Sequence, residues 1–155
     1  MERSIDTETC PIIGDRDKCF VVVVDKTWYE GFIPFFIFFA NKSYPNADIL
    51  VYVRGSLHED IATSIQHIDV PSDKYIIIEN WKTDYPASPL FSKISRWVID
   101  DDNIRRYRYA YIGDIDIMIC QEAKDLFESH IIHSEIIELP YSNIVRPGGG
   151  FICSL

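Results

Sequence analysis

Paired carboxylates are the feature of this chain most able to do chemistry. Asp-x-Asp occurs as Asp15-Arg-Asp17, Asp100-Asp-Asp102 and Asp114-Ile-Asp116. With 24 acidic residues against 15 basic ones, the spacing alone singles out none of them. Context does. The first two pairs lie among polar residues and read as solvated loop charges. The third follows Ala110-Tyr-Ile-Gly113 and precedes Ile117-Met-Ile119, an apolar run in which two carboxylates are costly unless neutralised. Residues two apart on a strand face the same way, so Asp114 and Asp116 are expected to point together while Ile115 and Ile117 face the core. Two such charges ~4 Å apart repel by about 4 kcal/mol at an effective dielectric of about 20. Mg2+ or Mn2+ relieves that repulsion and also binds diphosphate oxygens. The competing arrangement has Asp114 capping a turn and Asp116 paired with Arg105 or Arg108.

Those residues need a scaffold. Cys19-Phe-Val-Val-Val-Val24 is a short apolar, β-branched run that suits a strand covered on both faces. Thr27-Trp-Tyr-Glu30 has capping-box spacing, and Phe35 to Phe39 predict a helix that is apolar all round and packed inside. Ile49 to Val53 reads as a second strand, Ser56-Leu-His-Glu59 as a second capping box with a helix to Gln66, and Tyr75 to Ile78 as a third strand. Ser88-Pro89 opens a helix to about Ile99 with Lys93 and Arg96 on one face. Tyr107 to Ile119 is expected to be extended, Glu122 to His133 helical, and Ile136 to Leu139 and Asn143 to Val145 short strands. The alternation predicts an α/β fold, an open, mostly parallel Rossmann-like sheet with helices on both faces and ligands beyond the carboxyl ends of its strands. Residues 1–18 read as a polar lead-in, 19–147 as the domain and 148–155 as a flexible tail.

At 155 residues with 47% apolar content, the chain makes one domain with a substantial core. A net charge of -9 weighs against nucleic acid as a partner. Arg105-Arg-Tyr-Arg-Tyr109 mixes cations with aromatics, but strand alternation explains it, with Tyr107 and Tyr109 on one face. No segment reaches the apolar length of a membrane helix, and the polar start is unlike a signal peptide, so a cytoplasmic protein is expected. The four cysteines lack a Cys-x-x-Cys pair and read as reduced thiols. His130 and His133 have no third ligand spaced for zinc and read as surface histidines.

Tyr109-Ala-Tyr-Ile-Gly-Asp-Ile-Asp-Ile117 resembles the metal-binding strand of nucleotide-sugar glycosyltransferases with the GT-A fold. Val21 to Tyr29 resembles the first strand of those enzymes and its exit, and Ser88 to Trp97 their arginine-bearing helix. The resemblance runs in order over about residues 19–146. It implies Mn2+ or Mg2+ held by Asp114 and Asp116, with Asp114 also at the ribose. It places Asp25 and Tyr29 near the base, and Lys93 or Arg96 at the diphosphate or donor sugar. A nucleotide diphosphate sugar, a UDP-sugar first, is the expected donor, and a carbohydrate or other hydroxyl the acceptor. As a general base, Asp84, Glu79 and Glu138 stand equally. Similar enzymes continue past Val145-Arg-Pro147 with an acceptor-binding segment that Gly148 to Leu155 does not match. The resemblance thus implies a donor-binding part whose uncovered apolar surface would favour a homo-oligomer.

Two other readings compete. Val24-Asp-Lys-Thr27 places Asp25 directly after a buried strand, as haloacid-dehalogenase-like phosphohydrolases place their nucleophile. A non-catalytic nucleotide-binding remnant would keep the sheet without the transfer chemistry.

Overall fold

The computed structural model describes residues 17–25, 27–85, 94–145 and 151–153. Four strands, β1 (Lys18–Val24), β2 (Asp48–Val53), β3 (Tyr75–Ile78) and β4 (Tyr109–Gly113), form one all-parallel open sheet in the order β3-β2-β1-β4. The register sets Val24 beside Val53 and Val22 beside Gly113. Helices α1 (Thr27–Glu30) and α2 (Ile33–Ser43) join β1 to β2, α3 (Glu59–Gln66) lies between β2 and β3, and α4 (Leu126–Ile137) follows β4. β5 (Asn143–Val145) and β6 (Phe151–Cys153) form a separate antiparallel pair.

Alternate residues of β1 supply two cores. Phe20, Val22 and Val24 face α2, α3 and α4, while Cys19 and Val21 face the other side with Leu50, Tyr52 and Ile112. A strand buried on both faces has no polar side to show, which is why β1 is written as an unbroken apolar run. Right-handed crossovers account for the layering. The steps from β1 to β2 and β2 to β3 move the same way along the sheet, so α2 and α3 share a face. The step from β3 to β4 reverses direction and covers the opposite face. Its described parts pack Trp81, Ile99, Ile104 and Tyr107 there, with 3-10 turns at Arg96–Val98 and Ile104–Arg106.

The Phe20 ring is the hub of the helix-side core. It meets Phe36 of α2, Tyr44 beyond it, Tyr111 of β4 and Phe127 of α4 with centroids at 6.4, 5.6, 5.5 and 5.1 Å. Such edge and tilted contacts add to the area buried.

Several local expectations are corrected. α2 is not enclosed: Phe36 and Ile37 are buried but Phe35 is 65% exposed, because the helix has a sheet beneath it and no described layer above. α3 starts at Glu59 without a cap from Ser56; instead the Glu79 carboxylate accepts from Leu57 N at 2.5 Å and Glu30 from His58 N at 3.1 Å. α4 runs Leu126–Ile137, so Ile136 and Ile137 end a helix and do not start a strand. Its cap is Asp125, which accepts from Glu128 N at 2.9 Å. Tyr107 and Tyr109 pack into opposite cores, because Arg108 N and Tyr109 N both donate to Asp17 O and the chain turns between the two rings. Among the described residues no helix is long and apolar enough to cross a membrane.

Candidate functional site at the carboxyl end of the sheet

All four parallel strands end at one edge, and the candidate residues Asp25, Asp114 and Asp116 follow strands that end there. β1 connects on one side to β2 and is flanked on the other by β4, so the direction of winding reverses between β1 and β4. At such a reversal the loops leave to opposite faces and open a crevice, the usual ligand position in an open parallel sheet. Adjacent strands stand about 4.8 Å apart. Asp25 follows β1 directly and Asp114 follows β4 directly, so the two acids leave neighbouring strands.

The strand expected to run to Ile119 stops at Gly113, and Ile115 and Asp116 lie in a turn. Asp114 and Asp116 are therefore beyond the strand and not inside it. The alternation survives: both acids are exposed while Ile115 is buried in the helix-side core. Exposure makes two carboxylates tolerable without any cation, so desolvation does not demand a metal here. Gly113 sits under the pair for a packing reason. A Cβ on it would stand 3.0 Å from Cε1 of the buried Tyr111 ring.

Arg96, on a 3-10 turn of the β3-to-β4 connection, reaches this edge and its Nη1 donates to Asp114 Oδ1. The arginine side chain is 18% exposed and the aspartate 56%, so a largely covered cation meets an open anion. The guanidinium carbon lies 5.7 Å from the Trp97 ring centroid, and Nε is buried with no hydrogen-bond partner among the described residues. Asp116 makes no ion pair among the described residues. Arg105 is taken by Asp100 at 2.8 Å and Asp102 at 3.7 Å, and Arg108 lies over Tyr109 at 5.2 Å. Of the cations expected at the donor, Lys93 lies outside the described residues. Tyr29 on α1 is exposed, its ring 6.4 Å from Phe32, and Asp25 is half-buried.

The connection bearing Arg96 is pinned in part by Asp101, which the sequence reading placed among solvated loop charges. Asp101 Oδ1 accepts from Tyr52 OH at 2.9 Å, Asn103 N at 2.8 Å and Ile104 N at 3.1 Å. Tyr107 OH donates to Asp48 Oδ2 at 2.8 Å. Burial first, and then the acceptor carboxylate, push both phenols well above the ordinary tyrosine value, so they stay protonated donors. On the other flank Arg54, directly after β2, donates to Tyr85 O, and buried Glu30 fixes the chain entering α3. Sequence reading missed these roles because the partners are far apart in the chain and form no local motif.

An apolar groove of about 290 Å3 opens beside Asp116, between α2 and the turn after β4. Phe32, Phe35, Phe39, Ile117 and Met118 line it, and among the described residues Asp116 is the charged one there. Among the described residues no three His, Cys, Asp or Glu side chains converge as a metal cage. Two carboxylates do fit Mg2+ or Mn2+ of the kind whose other ligands are substrate phosphates and water. They do not fit a resident structural ion.

No protein-family model matches the chain, and no curated protein matches it significantly. Among solved structures it is similar to the mannosyltransferase Ktr4p from S. cerevisiae, with a TM-score of 0.49 and 11% identity over 78% of this chain and 38% of that one. Ktr4p in complex with GDP gives a TM-score of 0.49 and 13% identity over 77% of this chain. The chain spans 38% of the length of both.

Proposed function

We propose that the carboxyl edge of the sheet is the donor site of a metal-dependent glycosyltransferase and binds a nucleotide diphosphate sugar. The observation that carries this reading is the reversal of winding between β1 and β4, with Asp25 leaving one strand and Asp114 and Asp116 the other. The Asp-Ile-Asp pair supplies hard oxygen ligands for Mn2+ or Mg2+. When bound, that cation stabilises the negative charge that develops on a departing diphosphate.

The chain's own residues divide the remaining work. Arg96 is the cation at the diphosphate, with Lys93 the second candidate three residues earlier in sequence. The planar donors of Arg96 suit phosphate oxygens. The exposed ring of Tyr29 offers a flat face to a nucleobase, and the Asp25 carboxylate can accept from a base or ribose donor.

Donor turnover tests the activity. Mn2+-dependent release or transfer of the sugar from UDP- or GDP-linked donors is the expected result. Tight nucleotide binding with no turnover would instead assign the chain a nucleotide-binding role.

A further inference from the structure

α2 carries aromatic side chains that the proposed donor site does not use. Phe32, Phe35, Phe36 and Phe39 recur at the i, i+3, i+4, i+7 spacing that puts residues on one face of a helix. Phe36 is buried on the sheet and Phe39 half-buried, while Phe32 and Phe35 are exposed. A helix face that merely met water would be polar there, and contiguous exposed apolar surface is a mark of binding sites.

The groove of about 290 Å3 beside Asp116 lies along this face. Buried Phe36 and Ile115 form its floor, and Phe35 and Met118, 65% and 63% exposed, stand at its rim. The wall facing α2 is the same turn that carries Asp116. An occupant therefore rests its apolar part on the rings and meets one carboxylate, a ligand of the donor's metal under the reading above. The ring edges and faces of α2 and the Met118 thioether all favour an aromatic occupant. Ligand pockets run from about 300 Å3 upward, so this groove has room for a ring-sized group and not for a folded partner. A groove of about 430 Å3 on the other side of Phe35, between α2 and α3, has neither acid in its lining.

We propose, resting on the donor-site reading, that the groove beside Asp116 is the acceptor subsite and takes a hydroxyl compound that carries an aromatic group, in preference to a wholly polar one. Transfer to it forms one bond, acceptor oxygen to anomeric carbon, and breaks one, anomeric carbon to diphosphate oxygen. The exposed edge lets the hydroxyl proton pass to water.

Phenyl and methyl β-D-glucoside, which share a sugar and differ in the aglycone, test this on the full chain. NMR of the isoleucine and methionine methyls reads binding without any turnover. The phenyl compound should shift Ile117 and Met118 and bind about tenfold more tightly than the methyl compound, the factor expected from covering part of one ring. Phe35→Ser and Met118→Ser, both at exposed positions, should each remove most of that preference. With Mn2+ and a nucleoside diphosphate bound, the phenyl protons should relax faster than with Mg2+, as a paramagnetic ion at Asp116 requires. Equal affinity for the two glucosides, a preference retained in both variants, or equal relaxation with the two metals overturns the acceptor subsite, and the donor reading stands if Mn2+ and nucleotide still bind. Phenyl binding to a chain that binds no Mn2+-nucleotide overturns both. Contacts to the Ile117 and Met118 methyls from a second copy or another part of the chain, with no glucoside present, would show the groove already filled and overturn the proposal.

Discussion

Arg96 donates to Asp114 across the crevice edge, a buried-stem guanidinium holding the first carboxylate of the Asp-Ile-Asp pair while the second, Asp116, stays open. If the proposed donor site is right, Arg96 and a divalent cation would compete for Asp114, and a diphosphate would relieve the competition by offering the guanidinium other oxygens.

Arg96→Gln should therefore tighten Mn2+ binding to the nucleotide-free protein, by up to about fivefold. That limit follows from the ~1 kcal/mol ceiling of a partly exposed ion pair. The same variant should weaken nucleoside diphosphate binding in the presence of Mn2+. Electron paramagnetic resonance of free Mn2+ reads the first effect, and weaker Mn2+ binding in the variant would show that Arg96 orients the carboxylate and does not compete for it.

Phe20→Ala should be among the most destabilising single changes in the chain. It removes the ring on which α2, β4 and α4 converge, and losses of about 3–5 kcal/mol are usual for buried Phe to Ala. Urea denaturation followed by tryptophan fluorescence gives the number; a loss under about 1 kcal/mol would mean that the cluster does not anchor the sheet.

Gly113→Ala should couple stability to the site. The new methyl meets the Tyr111 ring at 3.0 Å, and because that ring is packed against Phe20 the backbone before Asp114 has to move. A cost of about 1–3 kcal/mol is expected from overpacking, with a weaker affinity for Mn2+-nucleotide than that of wild type. Unchanged nucleotide affinity would show that the position of Asp114 does not depend on this packing.

Cys19 should be inert in the native state. It is fully buried between strands, and desolvation first, with Asp48 second, pushes its thiol well above the ordinary value. Peptide mapping after brief alkylation near pH 8 should find Cys120, which is exposed, modified well before Cys19. Equal labelling of the two would mean that β1 is open to solvent.

Much of the scaffold is legible in the sequence, for reasons that particular residues show. β1 is announced by Cys19 to Val24 because burial on both faces leaves no polar position. β2 and β3 follow from the same logic, but the strand order is not legible this way, because right-handed winding fixes which face a crossover covers and not which strand it lands beside. β4 is overextended in the sequence reading because Ile115, Ile117 and Ile119 continue an alternation that the backbone abandons at Gly113: a turn lying over apolar helices needs the same buried side chains as a strand. The Glu122 start for α4 is missed by a turn because Asp125-Leu-Phe-Glu128 was the operative cap. At the site, Asp25, Asp114 and Asp116 do arrive at one edge, which chain topology dictates. The Arg96 contact with Asp114, the Asp101 anchor and the approach of His130 and His133 to the Ser142 hydroxyl, at 3.0 and 2.7 Å, depend on long-range packing that leaves no local pattern, which is why His130 is buried and not the surface histidine expected.

The proposed donor site requires that the two acids after β4 hold a metal-nucleotide complex. Isothermal titration of UDP and GDP into wild type and into Asp114→Ala plus Asp116→Ala, each with and without Mn2+, tests it most directly. Binding that Mn2+ strengthens in wild type and that the double variant loses is the expected result. Equal affinity in the two proteins, or wild-type binding indifferent to Mn2+, would contradict it.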